Sequence, residues 1–538
     1  MNAMHWADQL AAKIIERGKQ EKRIPNIKCQ QTPSGGKHIG NLNDVSRSYY
    51  PYKSVIEQGH KCTFVHTSDD RDPMKEVPKR LADLDGKWHD AEKIFNFKKY
   101  IGIPYFMIPD PFGCCESWSE HFTKVWMDGV YALGMHPKLY YVNDLYEQGK
   151  FEKYILTVFK KRESVGEIVA KFQATKTRDY IPFDAICPNC GKLANINNFD
   201  LKTKKVFFTC GGKRIKKLES EGCGYEGSVS ISQGKLQWRF EWPALWGIFN
   251  TTYEPFGKDH AEGSWPAGKE IAKEVYEFEP PIPFVYEFFL ISGQKMSASK
   301  GNVYIVQDML KIIEPEVMNF FYVKRPEKQR DLDLARIFQL VEEFDLAERI
   351  YFGADKGRTE NREENYKRMY ELVQNKIPKK LPIRVGYSLL AELSQVYNKE
   401  MVIKKLKDLG HLKNATKQDI EINKNRFILA SNWLKLYAPE NMRFKVNESV
   451  SKDIIKKLNE KEKSGLKLLK EKLKNKNYNE ENLFNEFYSI CKEVNIDSKD
   501  FFKAAYLVLI NKERGPRLAS LIISIGRYKA IDLLKQIG

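Results

Sequence analysis

Residues 25–41 read PNIKCQQTPSGGKHIGN, and this stretch decides the fold. Pro25-Asn26-Ile27-Lys28-Cys29-Gln30 has the length and apolar content of a short strand. Thr32-Pro33-Ser34-Gly35-Gly36 is a turn, since proline fixes φ and glycine reaches backbone conformations closed to other residues. A helix is predicted to follow. A strand, a glycine turn and a helix N-terminus make a natural phosphate site, because unpaired N–H groups and the helix dipole face the anion. His38 can donate a hydrogen bond to a phosphate oxygen, and Gly40 lets a nucleotide lie close to the backbone. Taken alone, a histidine near a helix start is more often a surface or capping residue.

Working outward, Cys62-Thr63-Phe64-Val65-His66 and Tyr105-Phe106-Met107-Ile108 are short apolar runs that end at aspartates, Asp69 and Asp70 in one case and Asp110 in the other. Leu139-Tyr140-Tyr141-Val142 is a further run, and Trp238 to Asn302 is read as a return to sheet-like sequence. Strands alternating with longer helical stretches predict an α/β fold with a doubly wound parallel sheet. Ligands on such sheets bind beyond the carboxyl ends of the strands, where these aspartates and the glycine turn fall. From about Glu342 the chain is rich in Lys, Glu, Leu and Ile at helical spacing, with Leu466, Leu469 and Leu473 as one stripe. That half is expected to be all-helical.

The chain has 538 residues, too many for one core. The expected division is 1–183 and 231–305 for the two halves of a Rossmann-type domain, 184–230 for an insertion, 306–341 for a connection and 342–538 for the helical domain. A formal net charge of +18 favours a polyanionic partner, although it also fits lysines spread evenly over the surface. No apolar run approaches the roughly 20 residues of a membrane span. Trp6, Leu10 and Ile14 mark an N-terminal amphipathic helix, not a signal peptide, so a cytoplasmic location is expected.

The insertion carries Cys187-Pro188-Asn189-Cys190-Gly191, then Cys210-Gly211 and Cys223-Gly224. A Cys-x-x-Cys turn sets two thiolates on one tetrahedral zinc, so a single site of Cys187, Cys190, Cys210 and Cys223 is expected. The second pair is spread more widely than usual, and a degenerate site without metal is the competing reading. The adjacent Cys114 and Cys115 are expected to bind nothing, since neighbouring cysteines fit one tetrahedron poorly.

A second motif, Lys295-Met296-Ser297-Ala298-Ser299-Lys300-Gly301-Asn302, offers ammonium and hydroxyl groups suited to charge building on a phosphate. With the first motif it resembles the paired HIGH and KMSKS signatures of class I aminoacyl-tRNA synthetases, in the right order. Glu254-Pro255-Phe256-Gly257-Lys258-Asp259-His260-Ala261, the Trp238–Trp246 segment, Ser68-Asp69-Asp70-Arg71-Asp72, Asp110-Pro111-Phe112-Gly113 and the C-terminal Lys512–Leu518 segment extend the likeness nearly end to end. The set resembles class I lysyl-tRNA synthetases, the type found mainly in archaea. Asn41 closes the first signature where a histidine stands elsewhere in the class, Ala298 replaces a KMSKS lysine with Lys300 following, and Gln30 stands where the family commonly has glycine beside the amino-acid pocket.

The resemblance implies ligation of lysine to its tRNA with ATP and Mg²⁺, through lysyl-adenylate, and an anticodon-binding helix cage in the C-terminal half. It assigns catalytic roles to His38, Asn41, Lys295, Ser297, Ser299 and Lys300. Pro33, Ser34, Gly35, His38, Gly40, Asn41, Gly257, Asp259 and Met296 are expected around ATP. Thr32, Trp238, His260 and Tyr286, with the acidic candidates Asp44, Asp69 and Asp70, are expected around lysine. The oligomeric state is left open, with a monomer expected. A glutamyl-type sibling would need a basic pocket, a non-catalytic RNA-binding paralogue is opposed by His38, Lys295 and Lys300, and a nucleotidyltransferase without tRNA leaves the basic helical half unexplained.

Overall fold

Five parallel strands lie in the first 286 residues: β1 (Asn26–Gln31), β2 (Thr63–Ser68), β3 (Lys138–Tyr141), β4 (Thr251–Gly257) and β5 (Ile282–Tyr286). In the computed structural model, which describes residues 5–76, 78–172, 180–215, 218–287, 289–296, 302–324 and 328–537, they lie in the order β5-β4-β1-β2-β3. This is the doubly wound order, and it reverses direction between β1 and β4. A crevice opens at such a switch point, beyond the carboxyl ends. The register aligns Gln31 with Ser68 and Gly257 with Tyr286, so the ends of four strands meet at that crevice. Both faces of β1 are covered, as its near-continuous burial requires.

Helices α1 (Trp6–Gln20) and α2 (Leu42–Glu57) bury Leu10, Ile14, Leu42, Val45 and Tyr50. Between β1 and α2 the glycine turn leads into a single 3-10 turn, Ile39–Asn41. Two sequence expectations are corrected here. Tyr105-Phe106-Met107 forms a 3-10 turn instead of a strand, because its amides bond back to the loop after β2: Tyr105 N–H donates to the Asp72 carbonyl and Phe106 N–H to that of Asp70, both at 3.0 Å. Trp238–Phe249, read as sheet-like, is a helix, α3. Trp238, Trp242 and Trp246 recur every four residues, a helical stripe, and the latter two are buried.

From Phe183 to Leu236 the chain makes a separate antiparallel sheet of five strands. Its core of Phe183, Val206, Phe208 and Leu236 is continuous with Val158 and Phe159 of the helix Glu152–Lys160, and Phe159 stacks on Phe199 at 4.3 Å between centroids.

The chain forms two compact units. The first comprises Met1–Met309, Met318–Leu332 and Lys356–Ile377; the second comprises Leu310–Val317, Asp333–Asp355 and Pro378–Gly538. The second unit is helical, and Leu466, Leu469 and Leu473 are buried in its core as the stripe predicted. Arg426, fully buried there, is held by Glu314 at 2.6 Å and by both oxygens of Asp345 at 2.7 and 2.8 Å. No helix among the described residues is long and apolar enough to cross a membrane.

Candidate active site

The crevice at the switch point is a cavity of about 510 Å³. His38, Gly40, Asn41, Gly257, Asp259, Lys295 and Met296, expected around ATP or the reacting phosphates, line it together with Thr32, Asp44, Asp69, Trp238, His260 and Tyr286, expected around lysine. Asp70 does not. Its carboxylate turns away to accept from the Asn143 N–H at 2.8 Å. Pro33, Ser34 and Gly35 shape the turn without lining the cavity: the Pro33 carbonyl accepts from the Trp118 indole at 2.8 Å, and Gly35 takes φ +119°, where a β-carbon would be strained. Ser297, Ala298, Ser299 and Lys300 lie outside the described residues.

His38 caps the 3-10 turn through Nδ1, which accepts from the Gly40 N–H at 3.1 Å. Burial, with Lys37 and Lys295 nearby, lowers its pKa to about 4. The ring is therefore neutral near pH 7. With Nδ1 accepting, its proton sits on Nε2, the tautomer that donates to a phosphate oxygen. Gly40 is required by this packing, since a β-carbon there would stand 2.7 Å from the imidazole.

Two buried carboxyls, Asp44 and Asp69, face the cavity. Tyr286 donates to Asp44 Oδ1 at 2.5 Å. Burial nonetheless raises Asp44 to about 7, against the pull of that hydrogen bond. Asp69 is 2% exposed, and its Oδ1 has no hydrogen-bond partner among the described residues. Burial, then Glu241 and Asp72, push its carboxyl well up. Lys37 acts on Asp44, and Lys235 and Lys28 act on Asp69, but burial outweighs these cations and keeps both carboxyls up. Aromatic walls complete the cavity: Trp238 stacks on Trp242 at 5.4 Å, and His260 lies 5.7 Å from Trp242. Gly257 admits Asp259, whose carboxylate would meet a β-carbon at 2.5 Å.

Gln30, Lys37, Asp72 and Glu254, which the quoted segments contain without an assigned role, also line the cavity. Asp72 is paired with Lys75 at 2.9 Å and Lys235 at 3.3 Å, and against burial these cations hold its carboxyl well below the usual range. Lys235 also pairs with Glu241, which accepts from Tyr146 at 2.8 Å. Lys28 and Glu254 are the charged residues of β1 and β4 and pair at 2.9 Å, as buried charges almost always do.

Away from the cavity, Cys187, Cys190, Cys210 and Cys223 converge, with their sulfurs within 4.8 Å of one another. Cys187–Cys223 and Cys190–Cys210 are each separated by 3.6 Å. A zinc–sulfur length of about 2.3 Å sets the edge of a ZnS₄ tetrahedron near 3.8 Å, so the four thiols have the spacing that zinc takes. Cys114 and Cys115, for which no ligand was expected, lie in a second cluster. With Asp110 and His121 they bring four ligand atoms within the same 4.8 Å limit. His121 Nε2 donates to the Ala82 carbonyl at 3.0 Å, so in the neutral ring Nδ1 presents a lone pair. That nitrogen faces Asp110 Oδ1 at 3.2 Å and Cys114 Sγ at 3.3 Å. A carbonyl holding the far nitrogen is how metal-ligating histidines are oriented, and these four groups can hold a divalent ion.

With this geometry in place, residues 4–376 match the family model described as tRNA synthetases class I (K). The chain belongs to that family. The synthetase is also similar over nearly its whole length to proteins named lysine–tRNA ligase. It is 32% identical to one from Natronomonas pharaonis and 34% identical to one from Haloarcula marismortui, in each case over 99% of this chain and 97% of the relative. It is 36% identical to one from Pyrococcus horikoshii over 99% of this chain and the whole of the relative. The synthetase signatures therefore sit on the family's own segment, and the match extends into the helical unit.

Proposed function

We propose that this synthetase is a lysine–tRNA ligase that activates L-lysine with ATP, releases pyrophosphate, and transfers the lysyl group to the 3′ end of the tRNA for lysine. The acidic, aromatic-walled cavity at the switch point carries the reading, and the near full-length likeness to lysine–tRNA ligases supports it. Asp44 and Asp69 receive the ε-ammonium, while Trp238, Trp242 and Tyr286 enclose the apolar stem and add cation–π attraction. A glutamate side chain would meet two carboxyls there. His38 Nε2 and Lys295 face the phosphates, with Lys300, Ser297 and Ser299 completing that group, and Gly40, Asn41, Gly257, Asp259 and Met296 border the nucleotide. Little covalent help is needed from the protein, because in-line attack of the carboxylate on the α-phosphate is governed by positioning and charge. Mg²⁺ neutralises charge on the phosphates when bound.

Zinc is assigned to Cys187, Cys190, Cys210 and Cys223, where it fixes the tip of the antiparallel sheet. The helical unit is assigned to the anticodon. Phe427 and Trp433 are buried and serve its core, so they do not stack on bases. Phe484, Tyr488 and Tyr528 are exposed at 45, 43 and 75% and offer the flat faces that single-stranded RNA uses.

The deciding experiment is ATP–pyrophosphate exchange by the full-length protein with each of the twenty amino acids, with and without tRNA. Exchange is expected with lysine and tRNA together, followed by lysyl-tRNA formation. Charging with glutamate or another amino acid instead of lysine overturns the proposal.

A further inference from the structure

Gln30 lies at the carboxyl end of β1 and lines the cavity beside Thr32. Its side chain is oriented from below. Lys28 Nζ donates to Gln30 Oε1 at 2.6 Å and to Glu254 Oε1 at 2.9 Å, and the Lys28 and Glu254 side chains are 0 and 1% exposed. Glu254 is pinned in turn by the Trp242 indole at 3.0 Å and the Trp246 indole at 2.7 Å. An ammonium has three donors and no acceptor, so the atom turned to Lys28 must be the carboxamide oxygen. The NH₂ is then left on the cavity side, and no described residue accepts from it. Ammonium, two carboxylate oxygens and two indoles thus set one amide on the floor of the site, and one of these tryptophans, Trp242, also lines the cavity.

We infer that Gln30 is a substrate-binding residue whose NH₂, aimed by the buried Lys28–Glu254 pair, donates to the α-carboxylate of the amino acid. This rests on the proposed activity. The NH₂ can only donate, and of the polar groups of lysine at neutral pH only the carboxylate accepts. The ammonium end is directed elsewhere, to Asp44 and Asp69. A bond to one carboxylate oxygen holds the other toward the α-phosphate, which His38 and the glycine turn receive. Lys28 is a positioning residue in this scheme, since it acts on substrate through Gln30.

The test is the KM for lysine and for ATP in tRNA-supplemented exchange, comparing wild type with Gln30→Glu and Gln30→Met. Gln30→Glu keeps an oxygen for Lys28 and so retains the buried network, but it places an oxygen where the NH₂ stood. Its lysine KM is expected to rise on the order of tenfold or more, with the ATP KM within about twofold, as fits loss of one bond to a charged group and added repulsion. Gln30→Met removes the donor without adding charge, and a smaller rise in the lysine KM alone is expected. It decides the matter if Gln30→Glu does not fold. An unchanged lysine KM, or an ATP KM that rises equally, overturns the inference. A wild-type enzyme that shows no lysine-dependent exchange defeats the proposed function itself, whereas an active wild type with indifferent Gln30 variants defeats only this assignment.

Discussion

The lysine affinity of this enzyme should depend on pH through Asp44. Burial raises that carboxyl to about 7 in the empty site. It must be ionised to pair with the substrate ammonium, so lysine binds only the ionised fraction. An affinity limited by a fractionally populated competent state is reduced by that fraction. With a pKa near 7 the ionised fraction is about one eleventh at pH 6, one half at pH 7 and ten elevenths at pH 8. The lysine KM should therefore fall about tenfold from pH 6 to pH 8, equivalent to roughly 1.4 kcal/mol. Asp69, which is also pushed up, can only steepen this slope. The ATP KM should stay level. Asp44→Asn should weaken lysine binding at pH 8 and flatten the profile, while keeping an oxygen for the Tyr286 hydroxyl. Stability should move the other way. A carboxyl whose folded pKa is raised makes the empty fold less stable as pH climbs from about 4 to 7. The Asn variant should thus have the higher melting temperature at pH 8, and less advantage at pH 5. Steady-state exchange with saturating tRNA across pH 6–8 reads the first effect, and thermal denaturation reads the second. A flat lysine KM in wild type would refute the assignment of Asp44 to the ammonium.

Two further outcomes test other parts of the molecule. Lys295→Ala should slow amino-acid activation on the order of a hundredfold with little change in the ATP KM, because the ammonium serves charge that develops in the transition state; a variant within twofold of wild type in single-turnover kinetics would remove Lys295 from the site. Elemental analysis should find zinc in the untreated protein, with Cys187→Ser or Cys190→Ser losing about one equivalent and lowering the melting temperature, and a second equivalent lost on Cys114→Ser would place metal on the Asp110–His121 cluster as well; zinc-free protein prepared without chelator would reject both.

The strand, glycine turn and helix around residues 25–57 were legible because each is a local signal. So were the stripe at Leu466, Leu469 and Leu473 and the convergence of the four insertion cysteines. Tyr105–Met107 was misread because a short apolar run has no period long enough to separate strand from turn, and distant carbonyls of Asp70 and Asp72 decided it. Trp238–Phe249 was read as sheet-like, although the four-residue tryptophan spacing of a helix was there to be read. The oriented amide of Gln30 was beyond local reading altogether. It depends on Glu254, which lies 226 residues from Lys28 and meets it only when β1 and β4 pair.

The interleaving of the two units governs how the chain can be made and cut. Lys356–Ile377 belongs to the first unit, where Arg368 of the helix Glu360–Val373 pairs with Asp8 at 2.7 Å and with Glu57 at 2.8 Å, and Lys53 donates to the Glu371 carbonyl at 2.8 Å. A nascent chain that has passed the signature lysines still lacks this piece. At roughly 5–20 residues per second, several seconds of translation separate the last strand of the parallel sheet from the helix that completes the unit. During that interval the Asp8, Lys53 and Glu57 side chains stand open to water or to a chaperone. By the same logic a stop codon near residue 338 would divide the helix Ile337–Tyr351 and leave the first unit unfinished, whereas a cut after Ile377 keeps every segment of that unit.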